Sequence, residues 1–226
     1  MNEKLKQLNG QRKLLILGLF VAMVLTLSGV VLYYWYNNTY FLATDDAKVA
    51  GDFVKVTPQI SGRLLEFDVA EGQRVAANQI LGRIEAVGVA DSGIDTSLLR
   101  APISGVIVKK QATVGEYELS SAAPTLALMV DPQQLYVSAN IEETKLRKIK
   151  PGQTVDITID QFDGQAFQGR VEAIGQAANS AFSLLPSSSS GTFTKVVQKV
   201  PVKIELAKTN ANLLPGTNAV VRIHLR

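Results

Sequence analysis

The chain of 226 residues contains no cysteine and a single histidine. The first absence excludes disulfides, thiolate metal sites, a lipid-bearing N-terminal cysteine and a cysteine nucleophile together. The second leaves only His224, which sits in an alternating run between Ile223 and Leu225. A lone histidine there reads as a rim or surface residue of a strand, not as a base or a metal ligand. Excess charge is also scarce. Lys4, Lys6, Arg12 and Lys13 against Glu3 account for the whole formal charge of +3, so everything after residue 13 is formally neutral. A nucleic-acid binder would need a basic field on its folded part, and this balance supplies none. Asp45 and Asp46 are neighbours and point to opposite faces of an extended chain, which suits a turn or strand entry better than a paired acid and base. No P-loop, glycine-rich dinucleotide loop or G-x-S-x-G element is present. The sequence offers no catalytic, cofactor-binding or metal-ligating residue, and the chain reads as a non-enzyme.

Charge is missing altogether from Leu14 to Tyr36. A helix of that length, rising about 1.5 Å per residue, crosses a hydrocarbon core of roughly 30 Å. It ends in Tyr33-Tyr34-Trp35-Tyr36, an aromatic cluster suited to the headgroup level. The competing reading is a cleaved signal peptide. Against it, the run exceeds the usual apolar region of about 7 to 15 residues and ends in bulky aromatics with no small-residue cleavage site. The cations before it place residues 1–13 in the cytoplasm by the positive-inside rule, with residues 14–36 as the transmembrane helix and 37–226 outside.

Downstream, what is present is an internal repeat. Ile60-Ser61-Gly62 followed by Gly72 recurs as Ile103-Ser104-Gly105 followed by Gly115, with Leu64 matching Ile107 and Val69 matching Ala112 at one constant offset. Pro58 and Pro102 precede the two copies. Each copy reads as a pair of short strands bent at the Ser-Gly pair, with Gly72 or Gly115 in a tight turn. Because an isolated two-stranded unit is marginal in water, two such hairpins are expected to sandwich their apolar faces together. Between them lies 86–97, rich in glycine and aspartate and read as a loop. It is too short for a helical hairpin.

A second β-region starts at Leu135. Glu142–Lys150 reads as a short helix. Pro151-Gly152 and Pro215-Gly216 each launch a strictly alternating strand, Val155, Ile157, Ile159 in the first and Ala219, Val221, Ile223 in the second. Val200, Val202, Ile204 and Leu206 give another, in which Pro201 predicts an edge position. Many short strands with frequent turns point to a small barrel. Gly62, Gly72, Gly105, Gly115, Gly152 and Gly216 are assigned as structural turns. The flexible stretch 175–194 carries an apolar cluster, Phe182, Leu184 and Leu185, which either tucks onto the barrel or contacts a membrane partner or the bilayer.

The twin-hairpin pattern is that of biotinyl and lipoyl carrier domains, whose chemistry needs a lysine at the tip between the two halves. No lysine lies between Lys55 and Lys109, and the tip reads Glu85-Ala86-Val87-Gly88. The scaffold is there without its attachment point, so no cofactor is expected.

Taken in order, Thr44-Asp45-Asp46-Ala47-Lys48-Val49, Val56-Thr57-Pro58-Gln59-Ile60-Ser61-Gly62, Arg100-Ala101-Pro102-Ile103-Ser104-Gly105 and Ile149-Lys150-Pro151-Gly152-Gln153 resemble the HlyD-type membrane fusion proteins, or periplasmic adaptors. Ser180 to Pro186 and Val196 to Val202 are similar to the EmrA-like branch. The resemblance implies a mainly β fold behind one transmembrane helix. A lipoyl-like barrel-sandwich hybrid spans 47–130, its halves 47–85 and 98–130 joined by the loop 86–97, and a β-barrel domain spans 131–226. It further implies an adaptor for efflux or secretion that oligomerises around an inner-membrane exporter, usually of the major facilitator class and multidrug in range. The family's long helical hairpin, whose tip meets an outer-membrane channel, is replaced here by the short loop. The chain is therefore expected to work near the inner membrane or in a cell with no outer membrane. An anchored cell-envelope structural or binding module built on the same scaffold is the alternative.

Overall fold

A computed structural model describes residues 2–85, 94–179, 197–209 and 211–225, with side chains from residue 17 onward. Within the first element, α1 (Asn2–Tyr40), the span Leu17–Tyr40 holds an 18-residue stretch with a mean hydropathy of 2.1, none of it covered by the rest of the chain. That stretch is long and apolar enough to cross a membrane. The helical span does not stop at Tyr36 as the sequence suggests. Asn37, Asn38 and Thr39 stay helical because Asn37 Oδ1 accepts a hydrogen bond from Arg222 at 2.8 Å and the Tyr36 and Tyr40 rings lie 4.7 Å apart.

With no linker, Tyr40 hands over to β1 (Phe41–Ala50). Next come β2 (Val54–Val56), β3 (Gly62–Phe67), β4 (Arg74–Val75), β5 (Ile80–Ile84), β6 (Leu98–Arg100), β7 (Gly105–Lys110), β8 (Tyr117–Glu118) and β9 (Ala127–Val130). These eight strands form two four-stranded sheets, ordered β2-β9-β7-β4 and β6-β5-β3-β8. Their inner faces enclose one core that includes Leu64, Phe67, Leu81, Ile84, Ile107, Leu126 and Met129.

Each copy of the repeat keeps its own antiparallel pair, β3 with β5 and β7 with β9, but the two pairs do not merely stack. β3 pairs with β8, Gly62 opposite Glu118, and β4 pairs with β7, Val75 opposite Gly105, so each copy is completed by the other. The two pairings are images of one another under the repeat offset, as are Leu64 N–H to Glu116 O (2.8 Å) and Ile107 N–H to Gln73 O (2.9 Å). The physical reason is the one that makes a lone hairpin marginal: exchanging strands buries both apolar faces and leaves fewer unpaired edges.

The Ile-Ser-Gly motif acquires a residue-by-residue meaning. Ile60 and Ile103 pack against the shared core. Ser61 Oγ accepts the N–H of Ser120 and Ser104 Oγ accepts the N–H of Ala77, each at 3.0 Å and each reaching into the opposite copy. Gly62 and Gly105 are not turns, since each opens a strand. A Cβ there would collide with the carbonyl oxygen of Glu85, just past β5, or of Val130 in β9. Gly72, Gly115, Gly152 and Gly216 do occupy turns at positive φ, of 83°, 99°, 88° and 94°. Three of these turns share one device: the glutamine or glutamate after the glycine accepts a backbone N–H three residues earlier, as Gln73 does from Ala70, Glu116 from Thr113 and Gln153 from Lys150.

Of the stretch 86–97 read as a loop, Ile94–Ser97 forms one helical turn leading into β6, and 86–93 lie outside the described residues. The chain then builds β10 (Tyr136–Glu142), a 3-10 helix (Glu143–Lys148), β11 (Thr154–Ile159), β12 (Ala166–Ile174), β13 (Lys199–Leu206) and β14 (Asn218–His224). Together with β1 they close a six-stranded antiparallel barrel in the order β1-β10-β13-β12-β11-β14. The alternating residues named from the sequence line its interior: Val155, Ile157, Ile159, Val202, Ile204, Ala219, Val221 and Ile223 are all buried, and Val137 and Ala139 of β10 join them.

Two expectations change here. Residues 47–50 belong to the barrel and not to the sandwich, because β1 is hydrogen-bonded to β14 on one side and β10 on the other. Pro201 is not on an edge either. It lies opposite Asn140 with its carbonyl accepting Gly175 N–H at 2.8 Å, so its missing donor falls where β12 runs out.

The anchored end of the barrel as candidate functional site

In an antiparallel barrel the connections fall alternately at the two ends. The end where α1 enters β1 therefore also holds the link 143–153 between β10 and β11, the segment 175–198 between β12 and β13, and the end of β14. The opposite end holds the connections to the sandwich through 51–53 and 131–135. The first end is the one that carries the apolar helix.

Asp46 is its hub. Thr44 and Ala47 flank an irregularity in the β1–β14 register that breaks strand alternation, and the Asp46 N–H donates to Thr44 Oγ1 at 3.1 Å. Asp46 accepts hydrogen bonds from Lys199 Nζ at 2.7 Å and from Asn140 Nδ2 at 2.9 Å. Asn140 Oδ1 in turn accepts from Asn179 Nδ2 at 2.8 Å, and Glu143 N–H donates to Gln198 O at 2.9 Å. Both feet of the segment that carries Phe182, Leu184 and Leu185 are thus tied to β1 and β10. Those three side chains lie outside the described residues.

The ammonium of Lys199, and after it the Asn140 amide, hold the Asp46 carboxyl below the usual carboxylate value, while Asp46 raises Lys199. The depressed Asp46 value means its contribution is complete above pH about 4 and is lost as pH falls through the lowered pKa. The raised Lys199 value means its contribution is complete below about 10.5 and is lost above it. At neutral pH the pair is intact. Its side chains are 49% and 40% exposed, so solvent screening keeps its worth small. Asp46→Asn is expected to speed amide exchange at 176–179 and 197–200 roughly two- to fivefold without lowering the melting temperature measurably. Unchanged exchange would show that the feet are held elsewhere.

The other polar groups at this end are structural. Arg222 stacks over the Phe41 ring at 3.8 Å while bonding Asn37, which joins β14 to the helix–strand junction. His224 Nε2 lies 2.7 Å from Asp156 Oδ2, and its ring meets Phe41 edge-on at 5.0 Å. It borders an open groove of about 570 Å³ on the barrel wall, where Asp156, Arg170, Glu205 and Lys208 mix both signs of charge. Among the described residues no group of histidine, aspartate and glutamate has a metal-binding arrangement.

A sandwich whose halves pair across the repeat, inserted between the first strand of a barrel and the remaining five, and an apolar helix continuous with that first strand define a two-domain β scaffold led by a helix. The comparisons agree in detail. Residues 52–132 match the model of the RND MFP barrel-sandwich hybrid domain and residues 135–223 that of the YknX-like beta-barrel domain. A putative efflux system component of Bacillus subtilis, YhbJ, is 38% identical over 188 residues, covering 83% of this chain and 81% of that protein. The multidrug export protein EmrA of Haemophilus influenzae is 32% identical over 152 residues, 65% of this chain but only 38% of that protein. The solved periplasmic adaptor protein EmrA superposes with a TM-score of 0.57 at 13% identity, covering 82% of this chain and 98% of that one, which speaks for the fold alone. The chain belongs to the membrane fusion protein family, in its EmrA-like branch. These proteins are adaptors rather than enzymes and work with an inner-membrane transporter.

Proposed function

We propose that the chain is the anchored adaptor of an export complex, joining an inner-membrane exporter of the major facilitator class to its exit path. Its N-terminus lies in the cytoplasm and its β domains outside, and it acts as a homo-oligomer with neither cofactor nor catalytic step. The observation that carries this reading is the shared end of the barrel: α1 enters at the end where Asn179 and Gln198 are tied to Asn140 and Glu143. Phe182, Leu184 and Leu185 fall in sequence between these two feet, and we assign them the contact with the membrane partner. The chain spans well under half of the Haemophilus relative, and residues 86–93 leave no room for a long helical hairpin. The adaptor accordingly makes its contacts close to the inner membrane and does not reach an outer-membrane channel.

Replacing Phe182, Leu184 and Leu185 together by Ser removes the apolar contact while leaving the barrel intact. Copurification of the exporter from native membranes is expected to fall roughly tenfold or more. Undiminished copurification by a folded triple variant would defeat this contact. A lipoyl or biotinyl adduct in the intact mass would defeat the cofactor-free reading.

A further inference from the structure

We infer that the link between β10 and β11 rests on anionic lipid headgroups. The inference uses the reading of residues 17–40 as a membrane span and does not depend on which exporter is bound. Within the link, Leu146 packs on the barrel core and Ile149 is buried, which fixes the orientation of the 3-10 helix. Arg147, Lys148 and Lys150 are left exposed. Lys145 is held by Glu142 at 3.0 Å and Lys199 by Asp46 at 2.7 Å, whereas Arg147, Lys148 and Lys150 make no ion pair among the described residues. The acidic groups of this end without an ion pair there are Glu143 and Asp45, and the unpaired cations also include Arg222, so positive charge is in excess.

The occupant is a bilayer because of the junction. Tyr40 is the last helical residue and Phe41 the first of β1. The barrel end that carries the link is therefore tethered with no slack to a helix whose terminal Tyr33, Tyr34, Trp35 and Tyr36 suit the headgroup level. A basic surface held there gains attraction to anionic lipid, with about a fivefold gain in association per cation at low salt.

The cysteine-free chain accepts a single reporter. Thr144→Cys in the whole chain, carrying a fluorophore, is placed in nanodiscs of phosphatidylcholine with or without phosphatidylglycerol, and a headgroup spin-labelled lipid serves as quencher. Quenching is expected to rise when phosphatidylglycerol is present. It should return to the phosphatidylcholine level in the variant with Arg147→Gln, Lys148→Gln and Lys150→Gln, and at high salt. Equal quenching in both lipids, or a rise that survives in the triple variant, would overturn the lipid contact alone. Quenching that responds only to a co-reconstituted exporter would assign the cations to an acidic protein surface and overturn it too. Failure of the chain to enter nanodiscs at all would overturn both the span and the contact.

Discussion

A chain begun at Gly51 is expected to lose its barrel, while one begun at Phe41 folds cooperatively. β1 sits between two partners, pairing Ala47 to Val49 with Ala139 to Val137 on one side and Phe41 to Thr44 with His224 to Val221 on the other. Removing it opens two strand edges that nothing else among the described residues covers, and exposed edges invite association. It also withdraws Leu42, Ala47 and Val49 from the core. At about 1.5–3 kcal/mol for each large apolar side chain, plus the lost ladder, the deficit approaches a typical domain stability of about 5–15 kcal/mol. The 41–226 piece, by contrast, gives up an exposed helix and its few contacts at the junction, among them Arg222 to Asn37, Leu225 N–H to Tyr40 O and the Tyr36 ring against Phe41. Circular-dichroism melts and gel filtration of the two truncations decide it. A monomeric 51–226 piece with the same cooperative transition as 41–226 would mean that the barrel closes without its first strand.

That boundary is the one the sequence misplaces, and the reason is local. The irregularity between Thr44 and Ala47 interrupts the period of two, so Thr44-Asp45-Asp46-Ala47 looks like an entry to the following domain and not the middle of a strand. Where alternation is unbroken, as in Val155, Ile157, Ile159 or Ala219, Val221, Ile223, strand and buried face are both legible, because periodicity encodes which face is apolar. It does not encode partners. Nothing in Gly62 or Glu118 announces that they pair, and the exchange between β3 and β8 becomes visible only when the offset of the repeat is matched by the offset of the hydrogen bonds.

The candidate site is less legible still. Asp46, Asn140, Asn179 and Lys199 come from β1, β10, the end of the β12 connection and β13. Each is an ordinary outward polar residue of its own segment, and only the closure of the barrel brings them together. The one hint is Asn140, a side-chain amide on the outer face of a strand whose neighbours Ala139 and Ile141 point inward. The lone His224, by comparison, is placed correctly from sequence on the rim, where it meets Asp156.

Gly62→Ala and Gly105→Ala are expected to damage the sandwich equally, each by about 3 kcal/mol and far more than the usual cost of adding a methyl group. Neither glycine has a positive φ, so the penalty does not come from backbone conformation. It comes from contact. The added Cβ would meet the Glu85 carbonyl oxygen at one site and the Val130 carbonyl oxygen at the other, and a backbone atom fixed in a sheet cannot swing away as a side-chain end can. Because the sites are equivalent under the repeat, the two single variants should melt within a degree or two of each other, with a transition of the sandwich displaced from that of the barrel. Gly72→Ala is the control: its φ of 83° makes a side chain strained, yet nothing lies within 4 Å of the new Cβ. Only the conformational penalty of about 1 kcal/mol should remain. If Gly105→Ala melts no lower than Gly72→Ala, the close approach between strands is not what selects glycine in the Ile-Ser-Gly motif.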